Sequence, residues 1–203
     1  MAAVVQTLAT EGCPSEPHTR LWTCVEYYEM AEKGVFRPGE HVELIGGRII
    51  AMSPQNSPHA TSVLLAYEAL RTLFASGCVL RMQLPLNLSP FSQPEPDIAV
   101  VKGSVRDYAA AHPATALLVV EVAESTLAFD RGEKSSLYAS ADIQEYWVLN
   151  LVDRRLEVFR DPIPMPNQPH GHAYRTCTFY LATDAVTPLA APHGSISVAD
   201  LLP

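Results

Sequence analysis

Residues 94–101 read PEPDIAVV, residues 117–122 read LLVVEV and residues 130–134 read DRGEK. The first two segments are short and rich in apolar and β-branched residues, which is typical of buried β-strands. Asp97 lies at the start of the first predicted strand, and Glu121 lies near the end of the second. The sequence therefore predicts two neighbouring strands that each carry one carboxylate at an end.

The pairing of these two strands decides how far apart the carboxylates lie. In an antiparallel hairpin, a register that places Val101 opposite Leu117 also places Asp97 opposite Glu121, at roughly 4.5–5.5 Å. Carboxylates at that distance repel each other, so one pKa rises unless a cation lies between them. A magnesium ion held by carboxylates, water and phosphate suits such a place. A slip of one residue would turn the acids to opposite faces of the sheet.

Lys134 is the third charged residue of this arrangement. Asp130 and Glu133 have the spacing of a capping box, so Asp130 is predicted to cap a helix over residues 131–141. Lys134 would then lie in the first turn, where the helix dipole does not favour a cation. It could contact a scissile phosphate or orient a water molecule. From residue types alone, unrelated surface charges around a hairpin are the more economical interpretation.

An ordered set of segments from about Trp22 to Arg160 resembles the Uma-two family, which is grouped with the PD-(D/E)xK nuclease superfamily. The bare superfamily motif has little specificity, whereas an ordered set across most of the chain has much more. The matching segments are VELIGGRI at 42–49, MSP at 52–54, His59, EPDIAVV at 95–101, VEVAEST at 120–126, Tyr138-Ala139 and EYWVL at 145–149.

The resemblance implies an α+β fold of the restriction-endonuclease-like type, with a mixed central β-sheet flanked by helices and with N- and C-terminal β additions. It implies a metal-dependent endonuclease that hydrolyses DNA phosphodiester bonds with Mg²⁺ or Mn²⁺ as cofactor. Asp97, Glu121 and the backbone carbonyl of Val122 would hold the metal, and Lys134 would hold the water or the phosphate. Nucleases of this kind often act as homodimers, although the sequence does not reveal a dimer surface.

Two features depart from the patterns that the resemblance implies. The superfamily places its lysine two residues after the second acid, where this chain has Ala123. The Uma-two pattern places the lysine on the following helix, which matches Lys134. Around the first hairpin the family has acidic residues, whereas this chain has Gly46 and Arg48. That change alters the local charge and leaves the predicted catalytic residues in place.

Glu43 and His59 complete the set of candidate catalytic residues. Glu43 lies in a hairpin predicted over residues 42–52, either near the active centre or as a solvent-facing strand residue. His59 lies in the first turn of a helix predicted over residues 59–75 with Ser57 as its N-cap. A helix N-terminus can help to hold a phosphate, although a lone histidine is more often structural.

Composition limits the class of protein. The 203 residues suffice for one domain, which we expect over residues 20–203 after a disordered tail at residues 1–19. The formal charge of −8 provides no general basic surface for nucleic acid, but a local basic groove remains compatible with it. No segment is long enough to span a membrane, and no secretory signal is evident. The four cysteines form no CxxC pair, as expected for reduced thiols of a cytoplasmic protein.

Two other classes of function stay open. A catalytically silent nuclease-fold module that binds nucleic acid or a protein partner suits the acidic composition, since a fold does not imply a function. A small-molecule hydrolase would show a closed apolar pocket over the acids instead of an open groove. Divalent metal binding separates the nuclease from the silent module in part, and loss of cleavage on Asp97→Asn separates them fully.

Overall fold

A mixed six-stranded sheet forms the centre of the computed structural model, which describes residues 19–74 and 76–203. Most of the tail predicted at residues 1–19 lies outside the described residues, and the division into tail and domain stays a prediction. The strands are β1 (Val42–Ile45), β2 (Arg48–Ala51), β3 (Cys78–Met82), β4 (Ile98–Lys102), β5 (Leu118–Ala123), β6 (Glu145–Asn150), β7 (Arg155–Pro164), β8 (His172–Leu181), β9 (Ala185–Val186) and β10 (Ile196–Ser197). The α-helices are α1 (Cys24–Glu32), α2 (Ser57–Leu73), α3 (Leu127–Phe129) and α4 (Ser135–Ser140).

The central sheet has the strand order β3-β4-β5-β6-β7-β8. Its strands pair antiparallel except for β5 and β6, which are parallel because the segment with α3 and α4 crosses between them. Two small antiparallel pairs, β1-β2 and β9-β10, are separate from it. The predicted class, a mixed central sheet with helices and added β elements at both ends, is therefore confirmed.

Apolar side chains cover both faces of the central sheet. On one face, α2 packs through positions at helical spacing, Val63, Ala66 and Leu70, against β4, β5 and β6. On the other face, Tyr138 of α4 packs against Val119 of β5 and neighbouring strand residues. No helix of the described residues has both the length and the apolar character that crossing a membrane would need.

Of the registers that the sequence leaves open for β4 and β5, the structure shows the one that brings the two acids together. Ala99 pairs with Val119 and Val100 pairs with Leu118 in an antiparallel ladder. Continued by two residues, this register places Asp97 opposite Glu121. The two acids therefore belong to the same face of the sheet, at the end where β4 begins and β5 finishes.

The helix that carries Lys134 begins earlier than predicted. It runs through α3, a π-helical turn from Asp130 to Lys134 and then α4, so Lys134 lies in the middle of a continuous helical segment. The prediction that Asp130 caps this helix is wrong. The Asp130 carboxylate accepts a hydrogen bond from the Thr126 hydroxyl at 2.6 Å, and the residue lies inside the helical segment.

The start of α2 differs from the prediction by one residue. Asn56, and not Ser57, is the N-cap, because the Asn56 side chain accepts a hydrogen bond from the His59 backbone N–H at 3.0 Å. Pro58 lies in the first turn, where its missing N–H leaves no donor unpaired. His59 is thereby held in the first turn, as predicted.

The β1-β2 hairpin places Glu43 beside the central sheet. Gly46 and Gly47 form its two-residue turn with φ angles of +56° and +73°, which L-residues rarely adopt. Every residue of β1 is buried, so Glu43 is not a solvent-facing strand residue. Gly47 also lies against Leu21, because a Cβ added to it would be 2.6 Å from the Leu21 Cβ and 3.1 Å from the Leu21 Cα.

Gly47→Ala is expected to lower the free energy of unfolding more than Gly39→Ala does, by about 1–3 kcal/mol. Both glycines have similar positive φ angles, +73° and +79°, so both substitutions carry the same kind of backbone strain. The added methyl group meets Leu21 at Gly47, whereas no atom in the described part of the chain lies within 4 Å of a Cβ added to Gly39. Urea denaturation followed by circular dichroism measures the difference. Equal losses would mean that the contact with Leu21 is not what requires a glycine.

Candidate active site

Asp97 and Glu121 lie side by side at the bottom of a cleft at one end of the central sheet. The Asp97 backbone N–H donates a hydrogen bond to Glu121 Oε2 at 3.3 Å, and the Val122 backbone N–H donates one to Asp97 Oδ2 at 2.8 Å. Both carboxylates are buried, with exposed fractions of 7% for Asp97 and 4% for Glu121. The strand register thus brings the two predicted acids together and restrains both of them.

Lys134 reaches the same cleft from the π-helical turn. Its Nζ lies 2.9 Å from Glu121 Oε1 and 3.3 Å from Glu43 Oε1. Tyr138, four residues further along the helical segment, donates its hydroxyl proton to Glu121 Oε1 at 2.7 Å. Ala123, where the superfamily pattern places its lysine, is instead part of the apolar core. A lysine on the following helix therefore reaches the second acid directly.

His59 and Gln83 contact the remaining oxygen of Asp97. His59 Nε2 lies 3.2 Å from Asp97 Oδ1, and the Gln83 side-chain amide donates to the same oxygen at 3.1 Å. Gln83 directly follows β3 and has a φ of +51°, so the chain turns there next to Asp97. The structure therefore brings all the sequence-predicted site residues, Glu43, His59, Asp97, Glu121, Val122 and Lys134, to one cleft.

Asp130 is a cleft residue that the sequence analysis missed as a member of the site. It lines the cleft and is only 2% exposed. Its spacing of four residues from Lys134 was the available signal, because residues four apart share one side of a helix. The local capping pattern with Glu133 pointed to a different role for the same residue.

The cleft holds more acid than its lysine can neutralise. Glu43, Asp97, Glu121 and Asp130 are all buried, and Lys134 is buried among them. Burial raises the pKa of Glu121 to about 8 and that of Asp130 to about 6. Burial also raises the pKa of Glu43, although the Lys134 charge opposes this. At neutral pH these acids therefore do not all ionise together unless another cation joins them.

In the cleft, Lys134 and Asp97 both have pKa values that neighbouring charges shift against the effect of burial. Burial tends to lower the pKa of Lys134, but the charges of Glu121, Glu43 and Asp130 outweigh burial and raise it. Burial tends to raise the pKa of Asp97, but its hydrogen bond and ion pair with His59 outweigh burial and lower it. The same contact raises the pKa of His59 against the effect of its burial. Lys134 is therefore protonated, and Asp97 is the acid most readily ionised.

The donor chemistry of the cleft fits a divalent cation such as Mg²⁺. Among residues 19–74 and 76–203, no three His, Cys, Asp or Glu side chains surround a common point. Mg²⁺ is, however, commonly bound by one or two carboxylates together with water and phosphate. Glu43 Oε2 is buried and has no hydrogen-bond partner among the described residues, so this oxygen is available to a cation inside the cleft. Hard oxygen donors with excess negative charge are what such a cation needs.

The residues that line the cleft are mostly polar. Its volume of about 80 Å³ is well below the roughly 300–1,000 Å³ of a small-molecule pocket, and its lining includes two histidine and two glutamine side chains as well as the acids. The closed apolar pocket expected of a small-molecule hydrolase is therefore not what the described residues form over Asp97 and Glu121. An open polar cleft is suited to a polymer that passes across it.

Comparison with known proteins gives a family and a fold. The family model described as "Uma2: Putative restriction endonuclease" matches residues 24–194. The structure is similar to one described as a "putative nuclease belonging to DUF820 from Anabaena variabilis ATCC 29413", with a TM-score of 0.64 and 16% identity. The match covers 88% of this chain and 96% of that chain, and at this identity it shows the fold alone. No curated protein matches the chain.

In metal-free protein, the wild type is expected to lose stability relative to Glu121→Gln as the pH rises. The unfolded-state pKa of the carboxyl is near 4.5 and the folded-state pKa is about 8, so the folded protein keeps a proton that the unfolded chain releases. Between about pH 5.5 and 7.5, this difference lowers the free energy of unfolding by about 1.4 kcal/mol per pH unit. Urea denaturation in EDTA at several pH values measures both proteins. Parallel pH dependences would contradict the raised pKa.

Proposed function

The chain belongs to the Uma2 family, and from this membership and the cleft we propose that it is a metal-dependent endonuclease hydrolysing DNA phosphodiester bonds. One observation carries the proposal, the direct contact of Glu121 with both Lys134 and Asp97. Lys134 Nζ lies 2.9 Å from Glu121 Oε1, and the Asp97 N–H donates to Glu121 Oε2. Two acids and one lysine are thus assembled at the end of a sheet, inside an open polar cleft.

Asp97, Glu121 and the backbone carbonyl of Val122 would hold Mg²⁺ or Mn²⁺. A bound divalent ion would supply a water molecule of lowered pKa and would stabilise negative charge on the phosphate. Asp97 is suited to this binding because its contact with His59 favours the ionised carboxylate. Glu121 would have to release the proton that burial favours, so binding should become tighter as the pH rises towards 8.

Lys134 would act through its charge and its N–H donors. The surrounding acids raise its pKa, so the side chain stays protonated and does not serve as a general base. In that form it can donate to the attacking water or to a non-bridging phosphate oxygen. Glu43 would position Lys134 through the 3.3 Å contact, and His59 would position Asp97 through the 3.2 Å contact.

The silent nuclease-fold module is the second candidate function, and one observation favours it. All four carboxylate oxygens of Asp97 and Glu121 already accept hydrogen bonds from protein groups. A module of this kind would keep the polar network as internal structure and would have no need of a metal ion. The homodimer and the cytoplasmic location expected from the sequence stay predictions under either function.

Wild-type protein is expected to nick supercoiled plasmid DNA in Mg²⁺ or Mn²⁺, and Asp97→Asn and Lys134→Met should each reduce the rate about 100-fold or more. The first change removes a charged metal ligand, and the second removes the cation while keeping the volume of the side chain. Gel electrophoresis of timed samples measures nicking, and circular dichroism checks that each variant is folded.

The matched controls are Asp200→Asn and Lys33→Met, which make the same chemical changes at exposed positions. These variants should cleave at the wild-type rate. A wild type that is inactive with either metal would favour the silent module. Cleavage that survives both cleft substitutions would show that the activity comes from another protein or another site.

Mn²⁺ or Mg²⁺ is expected to raise the melting temperature of the wild type and to leave that of Asp97→Asn nearly unchanged. A ligand at about 100 times its Kd stabilises the folded state by about 2.7 kcal/mol, which corresponds to roughly 5–10 °C for a protein of this size. Differential scanning fluorimetry in EDTA and in each metal measures the shift. An equal shift in Asp97→Asn would place the bound metal elsewhere, and Asp200→Asn is the control for the loss of one carboxylate.

A further inference from the structure

Arg81 is a buried cation on β3 without a carboxylate partner among the described residues. Its side chain is only 9% exposed, and it lies opposite Ala99 of β4. A buried charge is costly unless an opposite charge accompanies it. The arginines that do form ion pairs with carboxylates are Arg20, Arg48, Arg71, Arg131, Arg155 and Arg160.

The hydrogen bonds of Arg81 leave much of its guanidinium unused. Nη2 donates to the Pro85 carbonyl at 3.3 Å and to His112 Nδ1 at 3.1 Å. Nε is buried and has no hydrogen-bond partner within residues 19–74 and 76–203. A guanidinium offers five N–H donors in a planar fork that matches the oxygens of a phosphate. The structure therefore presents a buried cation with spare N–H donors.

His112 is the neutral neighbour that accepts a hydrogen bond from Arg81. Because its Nδ1 accepts the hydrogen bond from Arg81, the proton of the neutral ring is on Nε2. Burial and the Arg81 charge both lower the pKa of His112, which favours this neutral form. The ring consequently offers an N–H donor and contributes no negative charge that would compensate Arg81.

Arg81 lies next to the candidate active site along the chain and in space. Two residues further on, the Gln83 side chain donates to Asp97 Oδ1, and the Gln83 backbone N–H donates to the Asp97 carbonyl at 3.2 Å. Arg81 pairs with Ala99 of β4, and Asp97 precedes Ala99 by two residues, which is about 7 Å along the strand direction and on the same side of the sheet. A nucleic-acid strand whose scissile phosphate lies at Asp97 would therefore bring another phosphate close to Arg81.

We propose that Arg81, with His112 beside it, forms a subsite for a backbone phosphate adjacent to the scissile phosphate. The identity of the substrate rests on the proposed nuclease function, whereas the anion-binding character of the subsite does not. Phosphate oxygens would supply the missing negative charge and would accept the spare guanidinium donors. In a chain of formal charge −8 with an acidic cleft, such a cation is the local attraction that a DNA strand needs.

A purely structural role for Arg81 makes different predictions. The Arg81 guanidinium lies 5.7 Å from the centre of the Tyr108 ring and donates hydrogen bonds to Pro85 and His112. In a purely structural role, these contacts would hold the three residues against β3. Substitution would then lower stability without changing how the folded protein responds to phosphate or to salt. The two roles are separable by measuring anion binding in folded variants.

The first experiment compares DNA binding by wild type, Arg81→Gln, Arg81→Lys and Arg106→Gln in EDTA, where cleavage does not occur. Fluorescence anisotropy with a labelled duplex gives the affinity over a range of salt concentrations. Loss of one phosphate contact should reduce the slope of log K against log salt by about 0.9 in Arg81→Gln and weaken binding about tenfold, uniformly across sequences. Arg106→Gln, an equal change of charge at an exposed residue nearby, should keep the wild-type slope.

The second experiment uses inorganic phosphate as the probe and needs no DNA. Phosphate, compared with chloride of equal ionic strength, should raise the melting temperature of wild type and Arg106→Gln but not that of Arg81→Gln. Arg81→Lys keeps the charge without the planar fork, so it should show a reduced shift. If Arg81→Gln does not fold, a full wild-type phosphate shift together with wild-type DNA affinity in Arg81→Lys would overturn the proposal.

The outcomes separate this proposal from the proposed function. Selective protection by phosphate, together with an absence of DNA binding by wild type, would support the anion subsite and contradict the nuclease. DNA binding with equal salt slopes in wild type and Arg81→Gln, together with equal phosphate shifts, would overturn the subsite and leave the nuclease proposal standing.

Discussion

The central physical constraint of this protein is that its cleft contains more buried carboxyl groups than the buried Lys134 can neutralise. Glu43, Asp97, Glu121 and Asp130 surround or approach Lys134 at one end of the central sheet. Lys134 neutralises one charge and His59 balances Asp97, so the remaining acids either keep protons or require another cation. The raised pKa values of Glu121 and Asp130 express this imbalance, and a divalent metal ion would relieve it.

Several separate parts of the fold are needed to hold that arrangement. The antiparallel register of β4 and β5 places the two main acids together, and the β1-β2 hairpin adds Glu43. The π-helical turn from Asp130 to Lys134 directs both of its terminal residues towards the cleft, and π-helical turns are frequent at functional sites. Tyr146, whose hydroxyl donates to the Asp130 carbonyl at 3.1 Å, secures this turn against the sheet.

The local pattern of the sequence predicts β4 and β5 but does not fix their register, because both faces of these strands are buried and a one-residue slip would keep apolar residues on each face. It does not predict the burial of Glu43, whose partner Lys134 is 91 residues away in the chain. The error at Asp130 has a similar origin: a capping pattern spans four residues, whereas the observed helix depends on contacts with Thr126 and Tyr146. Side-chain contacts set by distant segments are thus beyond a local pattern, although the family resemblance named most of the residues that the structure brings into the cleft.

The most direct measurement is an anomalous-difference map from crystals of the wild-type protein grown with Mn²⁺. The account predicts a peak in the cleft, about 2.1 Å from carboxylate oxygens of both Asp97 and Glu121, with Lys134 still beside Glu121. Its absence from an otherwise identical Asp97→Asn crystal would assign the peak to this site. A wild-type map with no peak beside these two acids would contradict the account and would make the buried network a structural feature of a silent module.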